Sequence, residues 1–359
     1  MALAAARAAA FDVLERVQTG GYASDLLLAR AAALDSRDAG LATAIVFGVL
    51  RFRAQLDWLI ERLAGRPRKL DSEVRTALRM GLYQLRGLER VPPHAAVAES
   101  VELVHRARKR SAAGFVNAVL RKAGREAVEW PSREIELSCP EWLLARWERH
   151  YGAQAACAIA RAALEEPVHY TCGSRQQDIG SQSIVPLLGL APGHSFLDVC
   201  AAPGNKTAQA LAAGARVVAC DLHHRRLAPM KSLTASLVVL DGTRPLPFGG
   251  RFDRILVDAP CSGTGTLGRN PEIKWRLTPA DLEDLQRRQR ALLTNAQGAL
   301  APGGLLVYST CSLEPEENEA VIACVPPDAV IETMRRLPGR DPGDGFFAAV
   351  IKSVKPANG

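Results

Sequence analysis

The sequence predicts two folds in tandem, an all-helical bundle followed by a doubly wound α/β domain. Three observations carry this expectation. At 359 residues the chain exceeds one ordinary core. Through residues 1–128 apolar positions recur at spacings of three and four, and beyond about residue 173 short, wholly apolar runs alternate with helical stretches.

The helical half shows its period in FDVLERVQTGGYASDLLLARAA, LDWLIERLAG and VRTALRMGLYQLRGL. Gly20-Gly21, Gly65-Arg66-Pro67 and Pro92-Pro93 punctuate it as short turns. Residues 129–172, including CPEWLLARWERHYGAQAACAIARAALEEPVHY, form a helical connector. Residues 173–359 hold five candidate strands: SFLDVC (195–200), RVVACD (216–221), LVVLDG (237–242), RILVDA (254–259) and LLVYST (305–310). Short runs that are apolar throughout indicate strands covered on both faces, and hence a parallel sheet.

Composition excludes several classes. An apolar content of 48% is too high for a disordered chain. No uncharged apolar run reaches the roughly 18 residues of a membrane span, and the opening MALAAARAAAFDVLERV carries charges where a signal peptide would be apolar. A cytoplasmic protein without a membrane partner is expected. The eight cysteines form no C-x-x-C pair and have no histidine at zinc-ligand spacing, so neither a disulfide framework nor a metal site is expected. The net charge of +7 is uneven: residues 1–150 hold 24 Lys and Arg against 18 Asp and Glu, leaving 21 against 20 for the rest. HRARKR (105–110) and RKAGR (121–125) are candidate phosphate-binding clusters, although a solvated helix face has the same letters.

In an open α/β sheet, ligands bind beyond the carboxyl ends of the strands, so the residues just past each run are the informative ones. After the first run come Cys200, Ala201, Ala202, Pro203, Gly204, Asn205, Lys206 and Thr207. This glycine turn leads into a helix whose amides can receive a polar group, and it matches neither a phosphate P-loop nor G-x-G-x-x-G. Asp221 ends the second run and is placed for ribose hydroxyls; Asp241 ends the third and is placed for a nucleobase amine. Either aspartate serves equally well as a turn or cap residue. With the glycine loop they favour an adenosine-containing cofactor.

The fourth run ends in Asp258-Ala259-Pro260-Cys261 and the fifth in Thr310-Cys311-Ser312. In a doubly wound sheet these strands are neighbours, so both thiols face the cofactor crevice. A nucleophilic thiolate there needs its pKa lowered from about 8.5, and Lys206 is the candidate cation. Thiol chemistry beside an adenosine cofactor, with no metal, suits methylation of pyrimidine carbon 5. A thiolate adds to carbon 6, carbon 5 becomes nucleophilic, and a carboxyl such as Asp258 near N3 stabilises the developing charge. The base must first leave its stack. Spacing does not decide which thiol attacks.

The motifs CAAPGNKT, DAPCSGTG with RNPEIKW (269–275), and STCSLEPEEN resemble the S-adenosylmethionine-dependent RNA cytosine-5 methyltransferases of the Sun type. GVLRFRAQLDWLI and GFVNAVLRKAG are similar to the NusB-like RNA-binding domain fused to the bacterial 16S rRNA enzymes of the RsmB/Fmu family. The resemblance covers nearly the whole chain. It implies a Rossmann-like methyltransferase domain behind a NusB-like one, S-adenosylmethionine as cofactor, and 16S rRNA as partner in place of DNA. It also implies that Cys311 is the nucleophile, that Cys261 assists product release, and that Cys200 to Lys206, Asp221, Asp241 and Asp258 contact the methyl donor. A monomer is expected. Alternatives are the same chemistry on tRNA or another RNA, or a binding protein whose catalytic domain is inactive. The chain departs from the family pattern at Asn205, which replaces a glycine; if that position needs a positive φ, asparagine is the best-tolerated substitute. It is also short between Asp221 and Asp241, and between LEEPVHY and RQQDIGSQSIVPLL, where a reduced RNA-recognition segment is expected.

Overall fold

The computed structural model describes residues 3–65, 69–124 and 126–353. The expected turn at Arg66-Pro67 and the Arg125 end of the RKAGR cluster lie outside them. The chain divides into two compact units, Met1–Glu166 with Leu267–Trp275, and Pro167–Thr266 with Arg276–Gly359.

The first unit is helical: α1 (Ala5–Gln18), α2 (Ala23–Ala31), α3 (Ser36–Arg51), α4 (Arg53–Ala64), α5 (Ser72–Gly87), α6 (Pro93–Arg106), α7 (Ala113–Arg121), α8 (Glu141–Tyr151) and α9 (Ala153–Ala162). Local signals set the ends. Asp35 accepts from the Asp38 amide to start α3, and Pro93 opens α6, where a missing N–H costs nothing. The three-and-four spacing places Ile45, Leu78, Met80, Leu82, Leu103 and Leu120 in one apolar core. Two buried arginines are paired with carboxylates: Arg7 meets Glu99 at 2.9 Å, and Arg79 forks onto Asp57 at 2.7 and 2.6 Å. The HRARKR cluster is half neutralised, because Arg106 pairs with Asp12 and Lys109 with Asp71.

Leu267–Trp275 belongs to this unit although its linear position falls within the α/β half. It caps α3, whose last carbonyls lack partners within the helix. Lys274 Nζ donates to the Arg51 carbonyl at 3.0 Å, and the Trp275 indole donates to that of Leu50 at 2.7 Å. Burial pulls the Lys274 ammonium down to about 8.

The second unit is built on seven strands, β1 (Ser195–Asp198), β2 (Arg216–Asp221), β3 (Ser236–Val239), β4 (Phe252–Asp258), β5 (Leu300–Thr310), β6 (Val330–Arg336) and β7 (Phe346–Lys352), in the order β3-β2-β1-β4-β5-β7-β6. The expected parallel sheet covers the first five strands only. β7 runs antiparallel to β5 and β6 antiparallel to β7, making the sheet mixed. β6 escaped the search for apolar runs because, as an edge strand, it carries exposed Glu332 and Arg335. Alternation of side chains sends Phe196, Leu256 and Val307 to one apolar cluster, and Leu197, Val257 and Tyr308 to the other. Each cluster is closed by helices, among them α10 (Asn205–Ala212) and α11 (Pro279–Gly298). Between β2 and β3, in the short interval that leads from Asp221 to Asp241, lie the short helix His224–Leu227 and a 3-10 turn, Ala228–Ser232. No single helix among the described residues is long and apolar enough to cross a membrane.

Candidate active site

β1 delivers the loop Cys200–Asn205 into α10. Gly204 is the N-cap, at φ +99, and a Cβ there would lie 2.9 Å from Met230 Cγ. The left-handed turn therefore falls on Gly204, and Asn205 is the first helical residue. The asparagine answers a different demand from the one its replacement of glycine suggested: its Nδ2 donates to the Gln176 carbonyl at 3.0 Å, fastening the loop to a two-stranded ribbon, Thr171–Cys172 with Arg175–Gln176. The half-buried Cys200 thiol is raised by burial and by nearby carboxylates, Asp198 first.

Lys206, expected as a cation for the thiols, is buried and committed elsewhere. Its Nζ lies 2.6 Å from Asp258 Oδ2 and 2.9 Å from Ser181 Oγ. Asp258 Oδ1 accepts from Ser309 at 2.8 Å, so an ammonium and a hydroxyl fix both carboxylate oxygens at the end of β4.

Asp221 ends β2, buried, with Oδ1 accepting from the His223 amide at 2.9 Å. Asp241 does not end its strand. β3 stops at Val239, and Asp241 Oδ1 binds the Thr243 amide at 3.0 Å and hydroxyl at 2.6 Å, which lowers its carboxyl below the usual range. It acts as a turn residue, with Arg244 3.6 Å from its other oxygen.

Sequence reasoning missed Asp198, at the end of β1. It is 0% exposed; Oδ2 accepts from Thr207 at 2.7 Å and Oδ1 has no hydrogen-bond partner among the described residues. Burial pushes its carboxyl up to about 7. The signal was the acidic letter in SFLDVC.

The thiols do meet. Cys261 Sγ and Cys311 Sγ are 3.4 Å apart, both residues half-buried. The hydrogen bond with Cys311, and then burial, push the Cys261 thiol well above the ordinary thiol range. Gly265 presses against the second loop: its amide donates to the Cys311 carbonyl at 2.9 Å, and a Cβ would lie 2.7 Å from that oxygen and 2.5 Å from the Gly345 carbonyl. The structure thus joins Lys206 to Asp258 and Cys261 to Cys311 at the ends of β1, β4 and β5, and sets Asp241 two residues past the end of β3.

The residues fit an adenosine-bearing methyl donor. A glycine turn opens a helix, a buried carboxylate ends the second strand, and the orphaned Asp198 Oδ1 is an unmet acceptor beside that loop. Fold and site together define an S-adenosylmethionine-dependent methyltransferase. Residues 185–330 match the model of the 16S rRNA methyltransferase RsmB/F family and residues 4–125 that of the NusB family. The ribosomal RNA small subunit methyltransferase B of Klebsiella pneumoniae subsp. pneumoniae is 34% identical over 98% of each chain, and that of Yersinia pestis bv. Antiqua is 34% identical over 89% of this chain and 91% of its own. The crystal structure of PH0851 superposes on 98% of this chain and 99% of its own with a TM-score of 0.75 at 21% identity, a likeness of fold. The chain belongs to the 16S rRNA methyltransferase RsmB/F family.

Proposed function

We propose that this chain methylates carbon 5 of a cytosine in 16S rRNA through a covalent adduct between Cys311 and carbon 6, with Cys261 assisting release. The observation that carries the reading is the 3.4 Å meeting of the two sulfurs at the ends of neighbouring parallel strands, one of them ending in Asp258. Support for the substrate comes from the relatives named as ribosomal RNA small subunit methyltransferases and from the NusB-family segment. The same reading takes a monomer acting in the cytoplasm on RNA and not on DNA.

Cytosine carbon 5 is a weak nucleophile while the ring is aromatic. Cys311 gives up its thiol proton to solvent and Sγ forms a bond to carbon 6, while the C5–C6 π pair moves toward carbon 5 and the N3–C4 end of the ring. Asp258, oriented by Lys206 and Ser309, is the group assigned to N3; it favours that redistribution by relaying a proton from the Lys206 ammonium to N3, and takes the proton back when the ring becomes aromatic again. S-adenosylmethionine, when bound, supplies an electrophilic methyl group, and Cys200 to Lys206, Asp221, Asp241 and Asp258, with Asp198 beside them, are the residues to hold it. Once carbon 5 has been alkylated, it loses its proton, and cleavage of the S–C6 bond returns the electron pair to Cys311 sulfur. Cys261, which keeps its proton, touches that sulfur and hydrogen-bonds to it as it leaves.

The test is incubation with labelled S-adenosylmethionine and either undermodified 16S rRNA or total tRNA, followed by mapping of the product. 5-Methylcytosine in 16S rRNA is expected. Label confined to tRNA, or to another ring position, sinks the proposal.

A further inference from the structure

Glu317 is fully buried, faces no cation among its described hydrogen bonds, and joins segments about fifty residues apart. Its Oε1 accepts from the Ser262 amide at 2.8 Å and from Gln289 Nε2 at 2.9 Å, and its Oε2 accepts from the hydroxyls of Ser262 and Ser312. Four neutral donors fill the acceptor capacity of one carboxylate. Ser262 directly follows Cys261, and Ser312 directly follows Cys311. The same Gln289 amide donates to the Pro260 carbonyl at 2.9 Å, so Cys261 is held on both sides. The backbone around Glu317 is fixed in turn: Tyr308 donates to its carbonyl at 2.6 Å, while the next residue, Asn318, accepts from Thr310 at 2.6 Å and donates to the Ser312 carbonyl at 2.9 Å.

We propose that Glu317 is the positioning residue of the two-thiol centre, a carboxylate clamp that holds the Cys261 turn against the Cys311 turn and so sets the contact between their sulfurs. The clamp deepens the cytosine-5 reading and rests on it for its catalytic meaning. It touches no substrate atom, so its effect falls on turnover and not on donor binding. Misplacement of a reacting group by about 1 Å costs on the order of a hundredfold in rate. A buried carboxylate placed only for stability leaves the encounter of the sulfurs unchanged in a variant that still folds.

The experiment uses the full chain and the Glu317→Gln variant, which keeps the shape but loses acceptors for the two serine hydroxyls. Two rates are measured. One is methyl transfer to undermodified 16S rRNA; the other is Cys261–Cys311 disulfide formation with diamide, in which two thiols lose two protons and two electrons to the reagent, read by mass of the linked peptide. The second needs neither RNA nor methyl donor, so it judges the clamp even if the cytosine-5 reading fails. Expected are a ten- to hundredfold fall in kcat, KM for S-adenosylmethionine within twofold of wild type, and a roughly tenfold slower disulfide. Should Glu317→Gln fail to fold, Ser312→Ala, which removes one donor from the Cys311 side, is read the same way with a three- to tenfold slowing of the disulfide. Disulfide rates within twofold of wild type in the folded variant overturn the clamp.

Discussion

Cys261 and Cys311 meet at 3.4 Å across fifty residues of chain because Asp258 and Ser309 are register partners in the β4–β5 ladder. The register sends the two strand ends out together, and each thiol follows its strand by one to three residues. The contact makes the division of labour testable. Cys311→Ala is expected to abolish both methyl transfer and any covalent complex. Cys261→Ala is expected to accumulate a protein–RNA adduct on a denaturing gel, because attack survives and release does not. An adduct in the Cys311 variant instead reverses the roles.

That contact was legible in the sequence for a physical reason. Runs buried on both faces must be apolar throughout, so β1, β2, β4 and β5 announce themselves, and catalytic letters gather just beyond their ends. Glu317 was not legible. In LEPEEN it reads as part of an exposed acidic run, and only the convergence of Ser262, Ser312 and Gln289 from distant segments buries it. The third run is shorter than its letters suggest: its ladder with β2 stops at Val239, two residues before Asp241.

Gly265 lies where the Cys261 loop presses against the Cys311 loop and Gly345. A methyl group there would fall within 2.7 Å of two backbone carbonyl oxygens, which cannot withdraw as a flexible side chain can. Gly265→Ala is expected to destabilise the protein by about 1–3 kcal/mol in urea unfolding and to lower kcat at least tenfold. A variant with wild-type kcat shows that the loops tolerate separation.

Asp258 and Lys206 form the ion pair behind the proposed base site, 2.6 Å apart with side chains 27% and 10% exposed. Asp258→Asn leaves the ammonium without its counter-charge and is expected to cost up to about 3 kcal/mol of stability, together with most of the activity. Lys206→Met combined with Asp258→Asn removes the stranded charge, so stability is expected to recover while activity does not. Recovery of both in the double variant means that Asp258 serves structure alone.

Asp198 gives the fold a predictable pH dependence. Burial holds its carboxyl at about 7, against an ordinary value near 4 in the unfolded chain, with the Thr207 hydrogen bond opposing the shift. Between those values the native state binds a proton that the unfolded state has released, so this residue's contribution to stability is present below about pH 4 and is lost as pH rises to about 7. The loss is at most about 4 kcal/mol, since each unit is worth about 1.4. Asp198→Asn cannot ionise, keeps an acceptor for Thr207, and places its second amide group in the same pocket at every pH. Any fixed cost of the amide therefore cancels when the variant is compared with wild type at two pH values. The difference in Tm, variant minus wild type, measured without methyl donor, is expected to move in favour of the variant between pH 5 and pH 8. A difference that stays constant across that range shows that Asp198 is ionised throughout, and that the partner for its orphaned oxygen is already in place.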